Sequence, residues 1–262
     1  MSVSPDLSGK VALVTGSSRG IGRFIAQRLA SAGATVIVSG RSATQPAKGY
    51  RFGQQHEIPG TLAETIGLIE ANGGRAIPLA ADLEKPDDRD SLVERALAAA
   101  GQLDILVNNA GYADYARVED MTMETFDRTI DHYIRAPFAL AQAAIRHMKP
   151  RGAGWIVNLG SVTAYPPHRP YLDYAKGGGD TFYASCKAAI HHFTRALAAE
   201  MVDHNIAVNC VGPSTAIRTP GADALIPADY PTEDPAYIAE TVLAMCHRPA
   251  AALWTWVPGP AH

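Results

Sequence analysis

Several things are scarce in this chain of 262 residues, and each shortage excludes something. There are only three cysteines, Cys186, Cys210 and Cys246, widely spaced and with no C-x-x-C pair. An odd, scattered set speaks against a disulfide framework and a structural zinc site, and points to a reducing, cytoplasmic location. No apolar run approaches the roughly 18 residues that a membrane-spanning helix needs. The first ten residues, MSVSPDLSGK, lack the apolar core of a signal peptide. A surplus of either charge is also missing, with 23 basic against 26 acidic residues and a net charge of −3. Nucleic-acid partners and anionic membrane surfaces call for a basic stripe, so neither is expected. The nine histidines include no H-x-x-x-H pair, and no metal site is expected.

What is present is an alternation of two periodicities. Val11–Thr15 is a short apolar run, followed by a glycine turn and a helical pattern in which Ile21, Ile25 and Leu29 share one face. Gly33 closes that helix, and residues 35–39 (TVIVS) are β-branched and strand-like. The same cycle recurs. Helical stretches are expected over 62–71, 91–100 (capped by Ser91), 123–148, 183–202 and 235–247, and strands over 76–80, 105–107, 155–159, 206–211 and 253–257. Strands alternating with helices predict an α/β fold with a doubly wound parallel sheet, a Rossmann fold, covered on both faces. The proline- and glycine-dense stretches 44–60 and 165–180 read as loop insertions within one domain spanning 1–262. In such folds ligands bind beyond the carboxyl ends of the strands.

The first strand runs into Thr15-Gly16-Ser17-Ser18-Arg19-Gly20-Ile21-Gly22. Glycines there permit a tight turn and close approach of backbone to a pyrophosphate, and the helix start offers unpaired N–H groups and a positive dipole end. The turn lacks the Gly-Lys-Ser/Thr ending of a P-loop, which argues against nucleotide hydrolysis.

With this turn, five further features make the chain resemble the short-chain dehydrogenase/reductase family over residues 8 to 248. Asn108-Asn109-Ala110-Gly111 follows the strand LDILV, as the family's NNAG segment does. Asp82-Leu83 follows the strand AIPLA at the family's adenine contact. Tyr183 and Lys187 match its Y-x-x-x-K, and Ser161 stands where it keeps a catalytic serine. The segment VNCVGP, ending at Pro213, resembles the part that closes over the nicotinamide, with Ile217 as a further backbone contact.

The resemblance implies an oxidoreductase that moves a hydride between a nicotinamide and a small-molecule carbonyl or secondary alcohol. Its cofactor contacts would be Gly16, Ser18, Arg19, Ile21, Gly22, Arg41, Ser42, Asp82, Leu83, Asn109, Ala110, Gly111, Tyr183, Lys187, Pro213 and Ile217. Its catalytic residues would be Ser161, Tyr183 and Lys187. A phenol titrates near 10 in water, and a neighbouring ammonium would lower that value. Ser161 would hydrogen-bond the reacting oxygen. A homodimer or homotetramer is implied by analogy. Two other readings stay open: a nucleotide-binding relative with little redox turnover, and a lyase or epimerase on the same fold.

The chain departs from the family in three places. Tyr183 stands 22 residues after Ser161, a wider spacing than usual, and the surplus falls in 165–180, read as an inserted loop at the substrate mouth. Tyr174 is nearer, but its i+4 position is Gly178 rather than a lysine. The family's catalytic asparagine is replaced by Tyr133 beside His132. Four residues on, Pro137 has no N–H to give the Tyr133 carbonyl, so a relay through that carbonyl could survive. Ser214 stands after Pro213 in place of glycine. For the cofactor, a carboxylate at the end of the second strand would bind ribose hydroxyls and repel a 2′-phosphate. Here that strand ends Ser39-Gly40-Arg41-Ser42, and Arg41 with Arg19 favours NADP(H) over NAD(H).

Overall fold

A computed structural model describes residues 5–51, 54–111, 115–171, 173–223, 226, 228–247 and 255–256, some by backbone alone. Seven parallel strands form the central sheet. In chain order they are β1 (Val11–Thr15), β2 (Thr35–Gly40), β5 (Arg75–Ala80), β6 (Ile105–Asn108), β7 (Gly154–Leu159), β8 (Ile206–Val211) and the two-residue β9 (Thr255–Trp256). Their spatial order is β5-β2-β1-β6-β7-β8-β9, so the strand order reverses between β1 and β6. Val14 pairs with Val38 on one side of β1 and with Val107 on the other. Every residue of β1 is buried, as expected for a central strand covered on both faces.

Side chains alternate along the strands and feed two core layers. On one face Val14, Val36 and Val38 pack with Ile25 and Leu29 of α1 (Gly20–Ser31) and with Ile238 and Val242 of α8 (Pro235–Met245). On the other, Leu13, Ile37, Leu106 and Ile156 meet three helices. These are α3 (Pro86–Ala100), α5 (Ala136–Arg151) and α7 (Thr181–Met201), which bring Leu92, Leu140 and Leu197. The cysteines Cys186, Cys210 and Cys246 are buried free thiols that pack as small side chains. No helix among the described residues is long and apolar enough to cross a membrane.

The elements differ from the sequence pattern at four points. The helix expected over 91–100 starts at Pro86, with Lys85 as its cap; Ser91 lies inside, its hydroxyl donating to the Asp87 carbonyl at 2.6 Å. The long helix expected over 123–148 is broken into α4 (Met123–Ile130), a π-turn (Asp131–Arg135) and α5. Pro137 brings no N–H to the ladder, and the Ala136 N–H donates five residues back to Asp131. Residues 44–60 are not a plain loop. They hold an antiparallel hairpin of β3 (Ala47–Arg51) and β4 (Gln54–Ile58), leading into α2 (Leu62–Ala71). Finally, 165–180 contains the one-turn helix α6 (Asp173–Gly177). Of the strand expected over 253–257, only β9 is described; Trp254 and the side chains of Trp256 and Tyr174 lie outside the described residues.

Candidate active site

One cavity of about 320 Å3 runs along the carboxyl ends of β1, β2, β6 and β7, at the reversal of strand order. Its middle is the glycine turn. Gly16 has φ +66°, and a Cβ there would stand 2.7 Å from the Ala110 Cα. A Cβ on Gly22 would run into the Gly16 carbonyl and the Asn109 side chain. Both glycines are therefore set by close packing against the Asn109-Ala110-Gly111 segment. Thr15 joins the two pieces: its Oγ1 accepts from the N–H groups of Asn109 (3.0 Å) and Ala110 (3.1 Å). The Asn109 side chain donates back to the Thr15 carbonyl at 2.8 Å. No side chain caps the start of α1, and Ser18, Gly20, Ile21 and Gly22 line the cavity there.

At one end stand Arg19, Arg41, Ile58 and Leu83. Arg41 lies 3.7 Å from a Glu84 oxygen, and Glu84 also meets His132 at 3.1 Å and Arg128 at 3.5 Å. The His132 hydrogen bond is the largest cause of the low Glu84 pKa, and burial opposes it. Two predicted contacts do not reach the wall. Asp82 Oδ1 accepts from the Glu84 N–H and so serves its own turn. Ser42 is buried beneath, its carbonyl accepting from Leu62 at 2.7 Å.

At the other end Tyr183 and Lys187 lie one turn apart on α7 and face inward together. Ser161 follows β7, buried just behind the lining, with its hydroxyl bonded to Thr163 and close enough to the Tyr183 phenol to favour its charged form. Tyr115 adds a hydrogen bond to the Tyr183 phenol, with ring centroids 5.2 Å apart. Lys187 is buried, donates to the Leu159 carbonyl at 2.6 Å, and lies 4.4 Å from the centroid of the Tyr133 ring. Tyr133 stands edge-on to Tyr183, and its hydroxyl fills the space a Cβ on Gly111 would need.

The electrostatics here reverse one expectation. Burial pushes the Tyr183 phenol up, outweighing the hydrogen bonds from Ser161 and Tyr115. Burial also pulls Lys187 down to about 8. Its ammonium lies 5.6 Å over the Tyr183 ring, and desolvation, not that cation, sets the phenol.

The remaining wall comes from the segment after β8. Pro213 lines the cavity as expected; Ile217 does not and is buried in the core. Ser214 turns away to hydrogen-bond Glu233. Thr219, Gly221 and Ala222 line the cavity instead, with Thr219 packed over Gly20. No turn or spacing signal in the sequence marked Thr219 or Tyr115. The described residues of 165–180 stay out of the wall of this cavity, and 165–171 are exposed. The insertion is thus not seen at the cavity mouth where the sequence reading put it.

A family profile described as short chain dehydrogenase matches residues 10–228. The chain is 36% identical over 207 residues to elsinochrome reductase 1 of Elsinoe fawcettii, covering 79% of this chain and 68% of that protein. A metagenomic short-chain oxidoreductase crystallised with NADP superposes with a TM-score of 0.75 at 27% identity, over 97% of this chain and 99% of its own. A 7α-hydroxysteroid dehydrogenase complexed with NADH and 7-oxo glycochenodeoxycholic acid superposes with a TM-score of 0.79 at 28% identity, over 96% and 94%. With the doubly wound sheet and the glycine turn already in place, this chain belongs to the short-chain dehydrogenase/reductase family and is an enzyme of that family.

Proposed function

We propose that the protein is an NADP(H)-dependent reductase of small-molecule carbonyl compounds in which Tyr183 is the proton donor. The residues present suit such a cofactor. One end of the cavity offers two guanidinium groups, the middle an uncapped helix start among glycines, and the far end a buried ammonium beside two hydroxyls. Arg19, Arg41 and Leu83 would hold the adenosine end, and Ser18, Gly20, Ile21 and Gly22 the pyrophosphate. Lys187 and Pro213 would hold the nicotinamide end. A bound nicotinamide supplies the hydride.

The chain's own residues handle the oxygen and its proton. Ser161 donates a hydrogen bond to the substrate oxygen and stabilises the charge that develops there. Tyr183 gives that oxygen its proton when the carbonyl is reduced and takes it back in the reverse direction. A phenol raised by burial stays protonated at neutral pH, the state a donor needs. Tyr115, edge-on to its ring, and Tyr133 help to fix the orientation of the phenol. The Lys187 bond to Leu159 anchors the ammonium between the Tyr133 and Tyr183 rings.

The observation that carries this reading is that Tyr183 and Lys187 line the cavity beside Leu159 and Gly160, next to Ser161 despite the wide spacing in sequence, with Lys187 bonded to the Leu159 carbonyl. The cofactor preference rests on the side chains, since the same fold holds NADP in one neighbour and NADH in another. At the end of β2 this chain has Arg41, with Arg19 beside it, and no carboxylate in the strand's last residues. A homo-oligomer is part of the proposal; Phe138 on α5 is half exposed, 6.0 Å from the ring of Phe193 on α7.

The test is a screen of NADPH oxidation over ketones and aldehydes graded in size and polarity, run beside NADP+ reduction by secondary alcohols. Turnover with at least one class, faster with NADPH than NADH, is expected. Silence across both panels, with cofactor binding shown separately, would sink the reading.

A further inference from the structure

We propose that the return end of the β3–β4 hairpin, residues 58–60, sets the preference for a 2′-phosphate by holding Arg19 in place. The inference rests on the NADP(H) reading above and deepens it. Arg19 Nη1 donates to three successive carbonyls of this return: to Ile58 by a short bond, to Pro59 at 3.2 Å and to Gly60 at 3.4 Å. The remaining Arg19 donors, Nε and Nη2, make no hydrogen bond to protein among the described residues. Ile58 itself forms part of the cavity wall next to Arg19 and Arg41.

Such an anchor is needed because the arginines repel. Burial lowers the Arg19 pKa most, and the nearby Arg41 and Arg23 lower it further. Arg23 is balanced by Glu64 at 2.8 Å and Arg41 faces Glu84 at 3.7 Å, whereas Arg19 makes no ion pair among the described residues. An arginine so placed would swing into water unless fixed, because solvation favours the swing and side-chain entropy rewards it. Three carbonyls on one nitrogen fix it while leaving donors for an anion. Arg41 is tied to the same hairpin through the Lys48 carbonyl at 3.5 Å.

The local geometry is specific to glycine. Gly60 has φ +112°, and a Cβ there would stand 2.7 Å from the Arg19 Cβ and 2.8 Å from the Ser18 carbonyl. The hairpin leaves and rejoins the body at one point, where Leu62 donates to Ser42 at 2.7 Å and Ala63 to Ala43 at 3.1 Å. It is therefore removable without cutting a core strand.

Two variants test the proposal: Gly60→Ala, and replacement of residues 45–59 by a short Gly-Ser linker. Each is titrated calorimetrically with adenosine 2′,5′-bisphosphate and with 5′-AMP, which differ only in the 2′-phosphate. In the unaltered protein the bisphosphate binds more tightly. In both variants that advantage shrinks about tenfold, the loss of roughly one charge-assisted contact, while AMP affinity holds. Arg19→Ala shrinks it equally, and adding Arg19→Ala to the linker variant changes nothing more, because the two act through one interaction. Equal losses for both ligands, an unchanged advantage, or a widened one would overturn the role of the hairpin alone. An unaltered protein that does not distinguish the two ligands would overturn the cofactor reading and this inference with it.

Discussion

The two ends of the cavity are built on opposite physical terms. At the proposed adenosine end the groups are arginines, partly exposed and held by backbone carbonyls and, for Arg41, by a carboxylate. At the reaction end Tyr183 and Lys187 are enclosed by aromatic rings, and both are pushed towards their neutral forms. At the end proposed to recognise a fixed anion, Arg41 faces a carboxylate while Arg19 is held by backbone carbonyls. At the end proposed to move a proton, removing water keeps the Tyr183 phenol protonated and draws the Lys187 ammonium towards its neutral form. The contrast teaches that charge is the tool at one end and desolvation at the other.

The comparison breaks first at Tyr183. Tyr183→Phe removes the hydroxyl proposed to carry the proton, and turnover is expected to fall by about 10²–10⁴-fold while NADPH binding survives. Steady-state kinetics with a parallel fluorescence titration check both halves. Near-normal kcat would mean another acid serves the oxygen and that the reaction end is placed wrongly.

Arg41→Ala tests the other end. Losing a charge-assisted contact of roughly 1.5–3 kcal/mol should weaken NADPH by about 10- to 150-fold and leave NADH much less affected. Equal losses in the two titrations would show that Arg41 does not read the phosphate.

A third test sharpens the desolvation claim through pH. Lys187 is lowered to about 8 from an ordinary 10.5, so between those values the unfolded chain binds the proton and the folded one does not. The unfolded state then holds more protons, and stability rises with pH across that window. The penalty of burying the ammonium is full below pH 8 and is relieved above it. Urea melts of the unaltered protein and Lys187→Met, compared between pH 8 and 10, should show the former gaining about 2 kcal/mol relative to the latter. A flat difference would mean that Lys187 is better solvated than its surroundings indicate.

The smallest effect is expected at Tyr133. Tyr133→Phe keeps the ring that lies 4.4 Å from the Lys187 ammonium. Its kcat should change by less than about threefold, since a cation over an aromatic face needs no hydroxyl. A large drop would give the Tyr133 hydroxyl a part in the chemistry and blur the division between proton carrier and wall.

Much of this was legible in order along the chain. The apolar run Val11–Thr15, the glycine turn and the Ile21, Ile25, Leu29 stripe specified strand, turn and helix because each signal is local. Tyr183 was preferred over Tyr174 from the i+4 lysine alone, and the structure brings Tyr183 to Ser161. The break in the helix over 123–148 was half legible. Pro137 announced a missing donor, yet the shift to a π-turn depends on how the ladder closes around it. The hairpin in 44–60 was missed because its turn and strand signals are weak beside the surrounding proline and glycine. Asp82, Ser42 and Ile217 were carried by motif position, but whether a side chain faces a cavity or a turn is decided by packing.

By itself the sequence determined the order of the central strands and the helices that connect them, the doubly wound class and the residue types at each end of the cavity, because these follow from periodicity and near-neighbour chemistry. Only the tertiary structure decided which of those residues share a wall. It brought Tyr115, Tyr133 and Thr219 to the site and took Asp82, Ser42 and Ile217 out of it. It also turned an expected fall in the Tyr183 pKa into a rise. The physical reason is that burial belongs to the whole fold: desolvation depends on every element that closes around a group, and no spacing along the chain records it.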